Sequence, residues 1–354
     1  MGSGQRSFHE QHRGASPGET STDAWVPFFV LALSFFLASL MILTSALLGR
    51  PGNARLAALA ALTAPISPEA ESAAATERPA GVTSPPNHGP AAAGAANVPA
   101  TVPTHSDPAL RSAIEDAIGG DAGHLSVVVR RLTDGRSASI DGDREFYAAS
   151  TFKLAVLYEA ERQASLGLLN LDGEVFFSED DVTEDLGTIG EVPVEDDGGV
   201  VIRNALRAMI TVSDNSSAVA LLHLLGGGTI DGTLRGLGLT TTSVNTTDLP
   251  TTANDMAILM EAIVSGRGVS AKARAEMRAL LLDQQSRSGI PGGLPRGVQV
   301  GNKTGTWEGA THDIAFVDAP SGAYIIAILS DQGWDWAPLT RVSEAVYEAL
   351  RAAP

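Results

Sequence analysis

Three short segments carry side chains that together could cut an acyl bond, and the first of them could supply the nucleophile. Ser150 and Lys153 are three residues apart, a spacing that places both on one face of a helix. A serine hydroxyl becomes a good nucleophile when a neighbouring base takes its proton, and a lysine amine serves as that base when burial or a second cation lowers its pKa. The pair predicts Ser150 as nucleophile and Lys153 as its base.

The other two segments offer groups that such a reaction needs. Ser213, in Ser-Asp-Asn, could relay a proton to a leaving nitrogen, and Asn215 could donate to a substrate amide carbonyl. Lys303, in Lys-Thr-Gly, could supply the second cation, and Gly305 would let a substrate lie close along a strand edge. The chain has only three lysines against 21 arginines, so the presence of two lysines in this set gives it weight.

The surrounding sequence predicts the elements that position these residues. Asp107 is the N-cap of a first helix, and 124–132 is a β-branched strand that forms a hairpin with the next short segment. A helix begins at about Ser150, and 155–290 is mostly helical. Strands return in the C-terminal third before a last helix over 337–351. Strands at both ends with helices between them indicate an α+β fold, with one sheet built from both chain ends and a helical subdomain inserted.

Composition excludes several classes of function. The formal net charge is −17, which disfavours a nucleic-acid-binding protein. The chain has no cysteine, so it has no disulfides, no thiol catalysis and no cysteine-ligated zinc. We predict no cofactor and no metal site. Residues 176–199 contain nine acidic residues and no Lys or Arg, and this segment is predicted to be a solvated loop that could rim the cleft.

The N-terminal third predicts a membrane anchor. Residues 24–49 contain no charge, and 26 residues span roughly 39 Å as a helix, against about 30 Å of bilayer hydrocarbon. A cleaved signal peptide is the alternative, although its apolar region is shorter. We therefore expect a disordered cytoplasmic tail over 1–23, a transmembrane helix over 24–49, an Ala/Pro-rich linker over 50–105 and a catalytic domain over 106–354. Flanking arginines on both sides leave the orientation unassigned by charge.

The three motifs, in this order, resemble the S-x-x-K, S-D-N and K-T-G set of class A β-lactamases and penicillin-binding proteins. The segments YAASTFK, SGIPGGLPRGVQVGNKTG and AYIIAILSDQG are also similar to that family, so the resemblance covers 106–354. It implies a five-stranded antiparallel sheet flanked by helices, with the active site between the sheet and an all-helical subdomain.

The resemblance also implies roles for individual residues. Ser150 would be the acylated nucleophile, and Lys153 its base or base partner. The N–H groups of Ser150 and Thr306 would form the oxyanion hole. A substrate carboxylate would contact three residues of the third motif region, Lys303, Thr304 and Thr306.

One departure from the family bears on turnover. Class A enzymes use a glutamate on an Ω-shaped loop to activate the water that frees the acylated serine. The corresponding segment 236–256 is short and contains no Glu. Asp248 could be a substitute carboxylate, or it could only cap a turn before Leu-Pro. Glu308 is better explained as a solvated loop charge. A Ser/His/Asp triad using His312 and Asp313 is disfavoured, because Lys153 already supplies a base.

Three functions therefore remain open at this point. The chain could hydrolyse β-lactam amides, it could act as a D,D-peptidase-like or other cell-envelope hydrolase, or it could be a penicillin-binding sensor or scaffold that stays acylated. The expected partners are a β-lactam or a peptidoglycan peptide, and the membrane through residues 24–49. We expect a monomer whose catalytic domain faces outward, because both substrates lie outside the cytoplasmic membrane.

Overall fold

The computed structural model describes residues 104–178, 181, 192, 195 and 198–352, all within one compact unit, Gly89–Pro354. The predicted tail, transmembrane helix and nearly all of the linker lie outside the described residues, as does most of the acidic segment. Among the residues that are described, no helix combines the length and the apolar character that a membrane span requires.

A mixed sheet of six strands forms the centre of the domain. In spatial order it runs β1, β3, β2, β10, β9, β8. Its strands are β1 (His105–Ser106), β2 (Leu125–Arg131), β3 (Arg136–Ile140), β8 (Gln299–Trp307), β9 (Ala310–Ala319) and β10 (Gly322–Ser330). The five antiparallel strands of the expectation are all present. The expectation omitted β1, which adds to the edge of β3 in parallel through two residue pairs and begins one residue before the predicted boundary.

Short strands pair outside this sheet in two small ladders. Their members are β4 (Phe146–Tyr147) with β7 (Pro250–Thr251), and β5 (Glu174–Phe176) with β6 (Gly199–Val201). The first ladder brings the loop before β7 against the strand that leads to Ser150.

Eight α-helices lie within the described residues. They are α1 (Pro108–Ile118), α2 (Lys153–Ser165), α3 (Ile202–Thr211), α4 (Asn215–Leu225), α5 (Gly227–Leu237), α6 (Ala253–Ser265), α7 (Ala271–Leu282) and α8 (Ala337–Ala352). Local chemistry explains the first: the Asp107 carboxylate accepts from the N–H groups of Ala109 and Leu110, and Pro108 occupies the first turn. The hairpin, the helical middle and the last helix all agree with the sequence expectations.

The sheet divides the apolar interior into two cores. On one face, β2, β9 and β10 pack against α1 and α8, with Ile114, Val127 and Val346 fully buried. On the other face the sheet packs against the helical subdomain, where α2 and α6 are buried along most of their length. Helix α2 is therefore held on all sides, so that the residues at its start have fixed positions.

Candidate active site

Ser150 lies in a tight turn rather than in the α-helix itself. A 3₁₀ turn covers Ala149–Phe152, and α2 begins at Lys153, three residues later than predicted. The backbone N–H and the hydroxyl of Thr151 both donate to the carbonyl of Ala148, at 3.1 and 2.6 Å. Ala149 has φ of 44°, a left-handed conformation that is costly for a residue with a Cβ. The turn thus holds a partly exposed Ser150 in a defined position just before the first residue of α2.

Strand β8 packs directly onto this turn at Gly305. A Cβ placed there would lie 2.9 Å from Thr151 Cγ2, 3.0 Å from the Ala148 carbonyl oxygen and 3.1 Å from the Thr151 nitrogen. These distances are shorter than ordinary contacts of a Cβ, so any larger residue at this position would require β8 or the turn to shift. We predicted Gly305 as a residue that leaves room for substrate. The small size of Gly305 allows close packing of the Lys-Thr-Gly strand against the Ser150 turn, and its role towards a substrate stays a prediction.

Ser213 occupies the short connection between α3 and α4. Its φ is 63°, so it too is left-handed. Asp214 follows as the N-cap of α4, with its carboxylate accepting from the N–H of Ser217 at 2.6 Å. The Asp214 cap thus fixes the turn that presents Ser213.

The two lysines of the motifs meet at the Ser213 hydroxyl. Lys153 Nζ lies 3.1 Å and Lys303 Nζ 2.9 Å from Ser213 Oγ, so the two nitrogens are within about 6 Å of each other. Lys153 Nζ also donates to the carbonyl of Ser213 and to Asn215 Oδ1, both at 2.6 Å. The structure therefore brings Lys153, Ser213, Asn215 and Lys303 into one cluster.

Lys303 is poorly placed to hold a full positive charge. Its side chain is completely buried. Burial first, and then the charge of Lys153, hold the pKa of Lys303 well below its usual value, while the carboxylate of Asp313 opposes that shift. The charged form of Lys303 is thus disfavoured at this site by its burial and by the neighbouring ammonium.

Asp313 supports the strand beneath Lys303 and was not identified from the sequence in this role. It accepts from Asn302 Nδ2 at 2.9 Å and from the Ile290 N–H at 2.8 Å. Burial raises the pKa of Asp313 to about 6, against these hydrogen bonds and the charges of Lys303 and Arg287. The signal in the sequence was an Asn one residue before Lys303 and an Asp on the next strand, which lies opposite Thr304 and so becomes informative only once the register is known.

His312 points away from any triad. Its Nε2 contacts the carbonyl oxygen of Tyr147 at 2.8 Å, while Nδ1 accepts from the N–H of Ser330 at 3.2 Å. Burial lowers the pKa of His312 to about 4, so the ring is neutral with its proton on Nε2. His312 thus ties the strand before Ser150 to β9 and β10, and both of its ring nitrogens are engaged by backbone groups of described residues rather than by the Ser150 hydroxyl.

The remaining predicted residues lie on β8 and in the loop before β7. Thr304 is buried and Thr306 partly exposed, on the same strand as Lys303. Asp248 is exposed in a turn closed by the Leu249 N–H and the Thr246 carbonyl. The next residue, Leu249, accepts through its carbonyl from the Ala148 N–H at 2.8 Å. Asp248 thus lies within a turn, and both a capping role and a catalytic role for its carboxylate stay predictions.

The loop that carries Asp248 is anchored by a buried carboxylate. Asp255, at the start of α6, accepts from the backbone N–H groups of Thr240, Thr241 and Thr242 at 3.2, 2.9 and 2.7 Å, and from the Thr242 hydroxyl at 2.9 Å. One carboxylate thus satisfies three consecutive backbone donors. The connection between α5 and α6 is only 15 residues long and closely held at its base.

Comparison with known proteins gives a consistent result. The β-lactamase enzyme family matches residues 109–350. β-Lactamase AST-1 of Nocardia asteroides is 31% identical over 64% of this chain and 79% of its own length. β-Lactamase FAR-1 of Nocardia farcinica is 30% identical over 68% of this chain and 82% of its own length. The solved structure of PBP-A superposes with a TM-score of 0.65 at 23% identity, over 71% of this chain and 98% of that one.

Proposed function

This chain belongs to the β-lactamase enzyme family, and on that premise we propose that it opens β-lactam amides through an acyl-Ser150 intermediate. The observation that carries the proposal is the meeting of Lys153 and Lys303 at one hydroxyl, Ser213 Oγ, beside the turn that presents Ser150. The relatives named β-lactamases in two Nocardia species support the substrate class.

The proposed acylation begins with proton transfer. Lys153, as a neutral amine, takes the proton of Ser150 while Ser150 Oγ bonds to the amide carbonyl carbon. N–H groups of Ser150 and Thr306 stabilise the oxyanion. The C–N bond then breaks, and the leaving nitrogen takes a proton from the Ser213 hydroxyl. Ser213 is reprotonated from the lysine pair that contacts it, so that the net proton count balances.

Water completes the reaction in the hydrolytic version. A base removes a proton from water as its oxygen attacks the ester carbonyl, and Ser150 leaves with a proton, giving an acid product. The segment 236–256 has no glutamate for this step. We propose Asp248 as the candidate carboxylate, since it precedes the residue whose carbonyl binds the Ala148 N–H.

The proposal is tested with the full-length protein and the chromogenic β-lactam nitrocefin. Wild-type protein should show a burst of one equivalent per chain followed by a steady state, and intact mass should show one covalent adduct. Ser150→Ala should abolish both, while Ser112→Ala, an exposed serine on α1, should change neither. A Ser150→Ala protein that still forms the adduct would refute the assignment of the nucleophile.

A second candidate function follows from the short loop. If no other group replaces the loop glutamate, the β-lactam acyl-enzyme is hydrolysed slowly and persists. That behaviour suits a D,D-peptidase-like or other cell-envelope hydrolase, or a penicillin-binding sensor that stays acylated. Release of D-Ala from a muropeptide at many turnovers would favour the peptidase. A nitrocefin burst with no steady state and no muropeptide turnover would favour the sensor.

We also propose that residues 24–49 anchor the protein in the cell membrane as a monomer, with the catalytic domain outside the cytoplasm. The 26 uncharged residues support this, because a helix of that length spans the hydrocarbon layer. Protease added to intact cells should remove the catalytic domain. Protection of that domain until the cells are lysed would contradict the proposed orientation.

A further inference from the structure

A polar cavity lies away from the active site, where the end of α2 meets α3 and α7. It has a volume of about 190 Å³. Glu161 and Ser165 of α2, Arg203 of α3, and Lys272 and Glu276 of α7 contribute to its walls. Because Glu161 follows Lys153 by eight residues on the same helix, the two are separated by roughly 12 Å along its axis. The cavity is thus distinct from the acylation site.

Glu161 is the unusual group in this cavity. Its residue is 2% exposed, and its carboxylate has no hydrogen bond or ion pair from any residue that the structure describes. Burial, and then the charge of Glu276, raise the pKa of Glu161 to about 7. A buried carboxylate without a hydrogen-bond donor is costly when ionised. A ligand that donates hydrogen bonds to Glu161 would therefore bind favourably, because it would stabilise the ionised carboxylate.

The neighbouring charged side chains already form ion pairs with one another. Arg203 pairs with Asp172 at 3.1 Å and with Glu276 at 2.9 Å, and Lys272 lies 3.8 Å from Glu276. An anionic ligand would therefore meet only cations that have carboxylate partners. When Glu161 is ionised, the cavity has one net negative charge, which a monocation complements. The groups counted are the carboxylates of Glu161, Asp172 and Glu276 and the cations Arg203 and Lys272.

The rest of the lining selects among cations. Within a mostly polar lining, Ala164, Leu169, Leu171 and Ala273 form a smaller apolar wall that a short carbon chain would contact. Within the described residues, no group of three or more His, Cys, Asp or Glu side chains is arranged to hold a metal ion. We propose that this cavity binds a small primary alkylammonium, whose –NH₃⁺ donates to Glu161 while its alkyl chain lies against the apolar wall.

Binding of this kind depends on pH in a defined direction. The ammonium interacts with ionised Glu161, so occupancy releases the proton that the empty cavity holds below about pH 7. The other charged groups facing Glu161 are Asp172, Arg203, Lys272 and Glu276, which pair with one another. The affinity should therefore rise about tenfold from pH 6 to pH 8.

The test uses n-butylammonium chloride and the full-length protein, with binding followed by calorimetry and by the thermal midpoint. Saturable binding is expected, stronger at pH 8 than at pH 6. Glu161→Gln should weaken it at least tenfold, and Glu115→Gln, an exposed glutamate of α1, should leave it unchanged. Sodium chloride and tetramethylammonium chloride at the same ionic strength, which lack N–H donors, should produce no saturable effect on the wild-type protein. An equal effect of either salt, or unchanged binding in Glu161→Gln, would overturn the proposal.

Discussion

Gly305→Ala gives a direct test of how the Lys-Thr-Gly strand positions the nucleophile. The added Cβ would lie 2.9–3.1 Å from three atoms of the Ser150 turn, and two of these, the Ala148 oxygen and the Thr151 nitrogen, belong to the backbone and cannot rotate away. Restoring an ordinary contact requires a separation of about 0.5–1 Å between β8 and the turn. Overpacking of this kind costs about 1–3 kcal/mol of unfolding free energy.

The effect on chemistry should exceed the effect on stability. A shift of about 1 Å in a reacting group can cost on the order of 100-fold in rate. We expect acylation of Gly305→Ala by nitrocefin, followed by stopped flow, to be about 10- to 100-fold slower, with the protein still folded. Gly309→Ala is the matched control, because the nearest atom to its added Cβ is 3.9 Å away. Acylation of Gly305→Ala within twofold of wild type, at unchanged stability, would refute the packing explanation.

Three further predictions concern titration and turnover. Because the folded-state pKa of Glu161 is raised from 4.5 to about 7, the free energy of unfolding of the wild type should fall as pH rises through that range. The loss should be at most about 3 kcal/mol, since solvent reaching the cavity screens the charge. Urea unfolding of Glu161→Gln at pH 5 and pH 8 should lack this loss, and the same change in unfolding free energy with pH as in the wild type would contradict the prediction. The pKa of His312 is lowered from 6.5 to about 4, so its contribution to folding stability is full above pH 6.5 and is lost as pH falls towards 4. His312→Gln should remove that loss of stability in acid and should also slow acylation. A variant with wild-type stability at pH 6.5 and at pH 4, and with wild-type acylation, would exclude His312 as an anchor of Tyr147. If Asp248 activates water, Asp248→Asn should leave the nitrocefin burst intact and lower the steady state at least tenfold; equal steady states in both proteins would show that another group, or none, performs deacylation.

The sequence was sufficient for the parts of the site that depend on local spacing. The shared face of Ser150 and Lys153 and the strand at Lys303 follow from short-range patterns, and the hairpin of β2 and β3 follows from a β-branched run and a turn. The start of α2 lies three residues later than expected, because helix propensity does not distinguish a 3₁₀ turn at Ala149–Phe152 from the first turn of an α-helix.

Other features depend on register between distant strands and could not be read from the sequence. The neutral state of His312 requires both Tyr147 and Ser330 as neighbours, and the support of Asn302 by Asp313 requires the pairing of β8 with β9. Strand β1 is two residues long, too short for any periodic signal. The cavity at Glu161 depends on how three helices cross, whereas on a helix wheel Glu161 looks like an ordinary surface charge.

The order of strands in the sheet also constrains how the molecule is made. Strand β2 pairs along its whole length with β10, which lies about 200 residues later in the chain. During synthesis, β2 and β3 therefore form a hairpin with one edge uncovered until the last strands have left the ribosome. Folding is expected to be slow and to be completed only after translation, since closing so long a loop precedes most of the burial. A chain truncated anywhere before β10 should expose that edge and aggregate, rather than fold into a smaller domain.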